Sequence, residues 1–232
     1  MEPLKSPIAA QTVTPSEDRW ATRLRGFGPF GILVMLVVPF AGTAFIGAVL
    51  VLVWARLSRT SWREIGYVRP RSLTLTLVAG ILFGAAFKFL MKAVVMPLLG
   101  ADPINQAYHF LAGNRAMLLP MMIFIIAGAG FGEETVYRGF LFERFGKLFG
   151  PGVGAKALTV LLTSAWFAAV HYHDQGVFGV EQAAITGLVF GTIFTVTGSL
   201  FPLMVAHAAF DMTAVAIIYC NLEDKVAHLI FK

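Results

Sequence analysis

The chain has 232 residues, of which 57% are hydrophobic and 13% charged, with a mean hydropathy of +0.75. A water-soluble domain of that length cannot hide so much apolar surface, so lipid is the expected solvent for most of it. The formal charge of +5 comes from 18 Lys and Arg against 13 Asp and Glu, and the basic residues gather in short loops, a pattern of membrane topology that argues against a nucleic-acid partner.

Strand-type alternation is absent, which argues against a β-barrel. The expected fold class is all-α: a polytopic transmembrane helical bundle of about 6 to 8 membrane helices, re-entrant and interfacial ones included. The lone Cys220 excludes an intrachain disulfide and a cysteine-based metal site.

Residues 1–26 carry Pro3, Pro7, Pro15 and several charges without a signal-peptide pattern, and read as a mobile polar N-terminal arm. Residues 27–55 are uncharged, with Arg19, Arg23 and Arg25 before them and Arg56, Arg59, Arg63, Arg69 and Arg71 after. A hairpin broken around Pro39 and Gly42 would put both basic flanks on one side. Each half would then hold about 12 residues, roughly 18 Å of helix against a ~30 Å hydrocarbon core, so span and re-entrant hairpin both stay open.

Leu73 to Leu99 is an expected span despite Lys88 and Lys92, which stand one turn apart on one face and need a bundle interior, a headgroup or a carboxylate. Residues 100–114 read as a loop or interfacial helix. Apolar Ala116 to Gly130 runs into an amphipathic stretch, Phe131 to Phe149, and Gly150, Pro151, Gly152 and Gly154 then break the chain. Three more apolar segments follow, Ala157 to Tyr172, Val177 to Thr197 and Leu200 to Tyr219, before a short tail at 221–232. The membrane-embedded domain is thus expected at 27–220. Gly80-x-x-x-Gly84 and Gly187-x-x-x-Gly191 read as faces for close helix packing.

Chemistry concentrates in three places. In Gly132-Glu133-Glu134-Thr135-Val136-Tyr137-Arg138 a helix sets Glu134 and Arg138 at i and i+4, acid first, the favourable order for an ion pair. Glu133 has Tyr137 at i+4 and no local cation, which leaves it as the available carboxylate for general-base work. Phe167 and His171 share a face of the next segment. His207 and Asp211 share a face of the last one, where the Asp can orient the imidazole, complete a metal shell or, when protonated, donate to an oxyanion. Ionisable groups inside transmembrane helices are costly and usually functional.

Glu133-Glu134-x-x-x-Arg138, then Phe167-x-x-x-His171, then His207-x-x-x-Asp211, in that order on hydrophobic segments, resembles the CAAX-processing and bacteriocin-processing family of intramembrane endopeptidases. Trp62 to Pro70 also looks like the segment that precedes the family's core, and the likeness runs from about Trp62 to Tyr219. In the family the last motif position is often Asn, where this chain has Asp211.

The resemblance implies hydrolysis of a peptide bond in a lipidated or membrane-associated peptide, CAAX-like or leader. It implies catalytic roles for Glu133, His171, His207 and Asp211, with structural support from Glu134, Arg138 and Phe167. Glu133 and His171 would activate a water, and His207 and Asp211 would position the carbonyl and stabilise its oxyanion. Glu133, His171 and His207 could also hold Zn2+ or another divalent cation. The His-Glu-x-x-His signature of soluble zinc proteases is absent, and a metal-free mechanism stands beside the metal one.

A non-hydrolytic role, as a membrane binding or bacteriocin-immunity partner on the same fold, is the alternative. The expected setting is the cell membrane of a bacterium, with the site open toward the cytoplasm on account of the basic loops at 56–71 and 138–156. One geometric demand follows. His171 falls near the end of its segment and His207 about 10 Å inside the next-but-one, so they meet only if a cavity reaches mid-depth between offset or irregular helices.

Overall fold

A computed structural model describes residues 15–231, and nine helices with no strand account for the regular structure of these residues. They are α1 (Pro15–Arg25), α2 (Pro29–Val37), α3 (Ala44–Ser58), α4 (Leu73–Leu98), α5 (Arg115–Phe149), α6 (Val153–Val170), α7 (Tyr172–Thr197), α8 (Leu200–Tyr219) and α9 (Glu223–Ala227). Helices α4 to α8 are each long and apolar enough to cross a membrane. The protein is therefore an integral multi-pass membrane protein. A bent pair, Arg19–Arg25 with Pro29–Phe40 at 57°, and the shorter apolar helix α3 complete the set.

The uncharged stretch at 27–55 is broken where Pro39 and Gly42 suggested. Helix α2 tightens into a 3₁₀ turn at Val38–Phe40, Gly42 takes φ +84°, and Thr43 caps α3 by accepting a hydrogen bond from the Ile46 N–H. The two basic flanks then meet. The Arg25 guanidinium donates to the carbonyl of Arg59, Trp54 Nε1 donates to the carbonyl of Leu24 at 3.1 Å, and Arg144 Nη2 donates to the carbonyl of Arg25. This is a hairpin that brings its ends back to one side.

Residues 1–14 of the expected polar arm lie outside the described residues, but Pro15–Arg25 is a helix. Its Ala21 is buried and it packs on α3. Its last turn is held through the Leu24 and Arg25 carbonyls, so this part of the expected arm is a packed helix. The tail is likewise tied down at α9, where Glu223 is buried and accepts from the Asn105 N–H at 2.8 Å.

Two glycine faces allow the bundle to close. A Cβ on Gly84 would lie 2.1 Å from the Ala206 carbonyl oxygen, so α4 and α8 approach backbone to backbone. Gly187 does the same for α7 against Ser164 of α6. Helix α5 lies between α3 and α8, and it is wound as a π-helix over Ile125–Leu141, five residues past Pro120. A π-wound stretch changes the angle at which successive side chains leave the axis and is frequent at functional sites. Here Gly132 faces α3 so closely that a Cβ would sit 2.7 Å from the Ala44 carbonyl carbon.

Candidate active site

Glu133 and Glu134 leave the π-wound part of α5 in different directions, and the two carboxylates meet different surroundings. The Glu134 side chain is fully buried, at 0% exposure, and Glu133 is 22% exposed. Glu134 Oε1 accepts from Arg138 Nη1 at 2.9 Å, the expected i,i+4 pair, and also from His207 Nδ1 at 2.6 Å. Arg138 is stacked over the rings of Phe167, at 4.6 Å, and Phe190, at 5.6 Å. Phe190 completes the clamp on the other side of His207, with ring centroids 5.4 Å apart.

The residue that orients the imidazole is therefore Glu134. Asp211 lies on the opposite nitrogen, with Oδ2 3.8 Å from His207 Nε2, and Glu133 Oε2 is 3.6 Å from that same nitrogen. Spacing along one helix pointed to Asp211 because i,i+4 neighbours are visible in a sequence, whereas Glu134 reaches His207 across 73 positions. Glu134 is thus more than a partner for Arg138.

His171 ends α6 and immediately precedes α7, whose chain kinks at Gly176 with φ +63°. Its Nδ1 lies 2.7 Å from the Phe167 carbonyl oxygen. A carbonyl can only accept, so Nδ1 donates, and the neutral ring keeps its lone pair on Nε2. The Phe167 and His171 rings meet edge to face at 4.5 Å.

A cavity of about 270 Å³ is lined by Glu133, His171, His207 and Asp211 together. The three helices thus deliver their four ionisable groups to one interior space, which meets the demand set by the different depths of His171 and His207. Phe167 and Tyr137 line it as well, while Glu134 and Arg138 stand behind it.

Other lining groups carried little sequence signal. Tyr108, from the loop between α4 and α5, lines the cavity, and its Oη accepts from Gln175 Nε2 at 3.4 Å. Burial, with the nearby carboxylates of Asp211 and Glu133, raises its phenol above the ordinary value of 10, so it remains an O–H donor. Lys88 and Gln182 line the same cavity, with Lys88 Nζ donating to Gln182 Oε1 at 2.9 Å. Of these, only Lys88 stood out in the sequence, as a charge within an apolar run.

For the possible metal set Glu133, His171 and His207, the described residues contain no group of three or more His, Cys, Asp or Glu side chains placed to hold an ion. His207 Nδ1 is engaged by Glu134, which leaves one nitrogen of that ring facing the cavity.

An all-α multi-pass membrane protein that collects carboxylates and imidazoles around an internal cavity is the class defined by fold and site. Residues 115–213 match the family model of the Rce1-like proteins, described as type II CAAX prenyl endopeptidase Rce1-like. Over these residues the chain is similar to the endopeptidase family that its motifs resemble, and the match contains Glu133, Glu134, Arg138, Phe167, His171, His207 and Asp211. The Trp62 to Pro70 segment lies outside the matched residues. No curated protein and no solved structure matches the chain.

Proposed function

We propose that the protein is an intramembrane endopeptidase that hydrolyses a peptide bond of a lipidated or membrane-associated peptide of the CAAX type, using Glu133, His171, His207 and Asp211. The observation that carries this reading is the shared cavity, in which four ionisable groups from three helices face one another inside a region similar to a protease family. The family match alone supports a CAAX-type membrane protease; the residue roles rest on the geometry.

In this reading a water lies between Glu133 and His171. Glu133 is the carboxylate with cavity exposure and no cation of its own helix beside it, and the His171 Nε2 lone pair is the second acceptor. Either accepts the proton as the water oxygen adds to the scissile carbonyl. His207, whose Nδ1–H is held by Glu134, presents Nε2 to the cavity, and in the imidazolium form the Nε2–H donates to the developing oxyanion. Asp211 lies 3.8 Å from the same nitrogen, where its carboxyl can take part in positioning the carbonyl. On collapse of the tetrahedral intermediate the amine leaves with the proton taken from water. The membrane cavity supplies a poorly hydrated setting in which each of these electrostatic contacts is strengthened.

Purified protein in detergent or vesicles, with the single substitutions Glu133→Ala, His171→Ala and His207→Ala, tests the assignment through peptide cleavage. Loss of cleavage in each is expected; cleavage retained in all three would end it. Metal analysis and chelator treatment of the wild-type protein belong to the same experiment. Chelator-resistant cleavage without bound metal is expected for a reaction run by these side chains, whereas stoichiometric metal with chelator-sensitive cleavage would reassign Glu133, His171 and His207 as ligands.

A further inference from the structure

Behind the catalytic cavity lies a second one of about 310 Å³, and the two share Lys88, Asn105, Gln175 and Gln182 in their walls. Lys88 and Lys92 both line the second cavity. Lys88 is buried, 7% exposed, in the middle of a helix long and apolar enough to span the membrane. Neither lysine forms an ion pair among the described residues. The contacts of Lys88 are the neutral Gln182 amide oxygen and the face of Phe210 at 4.7 Å, and Lys92 donates to the carbonyl of Pro103.

The charges of Asp211 and Glu223 reach Lys88, and those of Glu223, Asp102 and Asp224 reach Lys92, but none is in ion-pair contact with either lysine, and Asp211 lies toward His207 Nε2 at 3.8 Å. Glu223 is taken by the Asn105 N–H and by His109 Nδ1 at 2.9 Å, and Asp102 Oδ1 accepts from the Ile104 N–H. An ammonium in a membrane interior without an anion is costly and is retained for a ligand or pathway. Lys88 lines both cavities, and no protein carboxylate among the described residues is within ion-pairing distance of it.

We propose that Lys88, seconded by Lys92, receives the free carboxylate at the C-terminus of the peptide and so sets which bond lies against Glu133. This deepens the endopeptidase reading and rests on it. Lys88 lines the same cavity as Glu133, so a chain whose end is fixed there presents a bond a fixed number of residues upstream, at about 3.3 Å per extended residue. Charge-assisted hydrogen bonds from two ammoniums select a carboxylate over an amide, and a cavity next to the site with two lysines in its wall suits a charged chain terminus better than a neutral continuing chain.

The test compares one peptide in three forms: with a free C-terminal carboxylate, with a C-terminal amide, and amidated with Asp as its last residue. Cleavage and equilibrium binding of a fluorescent version are both measured, on wild-type protein, Glu133→Gln and Lys88→Met. Wild type is expected to prefer the free carboxylate over the amide by at least about tenfold in KM and in binding. Lys88→Met should bring that ratio toward one, and the difference should appear in KM rather than kcat.

Equal use of the first two forms by wild type would overturn the proposal without any variant, so a poorly folding Lys88→Met leaves it testable. Full rescue by the terminal Asp would overturn it in favour of a side-chain anion. Lys88-dependent, carboxylate-selective binding without cleavage by any protein would keep the subsite and refute the endopeptidase reading. Cleavage without carboxylate selectivity would do the reverse.

Discussion

Two neighbouring acids of α5 sit in contrasting regions. Around Glu134 the structure is closed: its side chain is fully buried, Oε1 accepts from a guanidinium and an imidazole, and Phe167 and Phe190 stack on the guanidinium. Around Glu133 it is open, with its carboxylate facing a cavity shared with His171 and Asp211. One region spends its charge on holding His207 in place, and the other keeps its charge available. A single step along the helix separates architecture from chemistry, which is why the two positions should fail in different ways when altered.

The largest effect is expected at the open side. Glu133→Gln should lower kcat/KM for peptide cleavage by about 10²- to 10⁴-fold, the range associated with a general base. Its melting temperature in detergent should stay close to wild type, since the nearest basic group, His207 Nε2 at 3.6 Å, lies beyond hydrogen-bond distance. A large drop in melting temperature would mean that Glu133 belongs to the closed region instead.

At the closed side the order reverses. Glu134→Ala leaves Arg138 buried without its partner and removes the acceptor of His207 Nδ1, and breaking such a buried pair costs about 3–5 kcal/mol of stability. Thermal unfolding should reveal that loss before any activity is measured. Glu134→Ala with wild-type stability would show that the Arg138 and His207 contacts are not load-sharing.

Packing of α4 against α8, the helix that carries His207, gives a third, smaller effect. Gly84→Ala places a Cβ against the Ala206 carbonyl, one residue before His207, and should cost about 1–3 kcal/mol by overpacking. Cleavage should fall with it, because α8 must move away from α4 and carries His207 along. Removing the Tyr108 hydroxyl with Tyr108→Phe is expected to cost about 1 kcal/mol or a few-fold in KM, the worth of one neutral hydrogen bond.

The sequence carried the elements that depend on local pattern. Leu200 to Tyr219 was expected with the bounds it has, Leu73 to Leu99 within one residue, and the Glu134 to Arg138 pair followed from helical spacing. Close packing at Gly80, Gly84, Gly187 and Gly191 was legible because small residues at four-residue spacing have few other uses in lipid. The contact of Glu134 with His207 and that of Lys88 with Gln182, 94 positions apart, were not legible, since only tertiary packing brings those atoms together. The π-winding of α5 left no trace in a 3.6-residue reading either, although Pro120 and the nearby glycines mark where regular winding is weakest. Helix α1 was missed for a different reason: its polar sequence looks solvated, and what orders it is the Trp54, Arg59 and Arg144 contacts supplied by distant elements.

The smallest predicted effect lies outside the membrane and shows how little an exposed pair does beside a buried one. Glu64 accepts from Lys147 Nζ at 2.8 Å and from the N–H and hydroxyl of Ser61, both at 2.9 Å. The hydrogen bond from Lys147, followed by that from the Ser61 N–H, lowers its carboxyl from 4.5 to about 2. A depressed carboxyl contributes its stabilisation fully above the unfolded value, and the contribution is lost as pH falls from about 4.5 through about 2. Glu64 and Lys147 are 40% and 39% exposed, so water screens the pair and its contribution should stay below about 1 kcal/mol. Lys147 also pairs with Glu143, which keeps its side chain directed along α5. Glu64→Gln should therefore shift the melting temperature slightly at pH 7 and by less at pH 2, with cleavage at pH 7 unchanged. A larger loss at pH 7 would mean that the loop at 61–67, in which Tyr67 Oη lies 2.7 Å from Thr135 Oγ1, is coupled to the helix that carries Glu133 and Glu134.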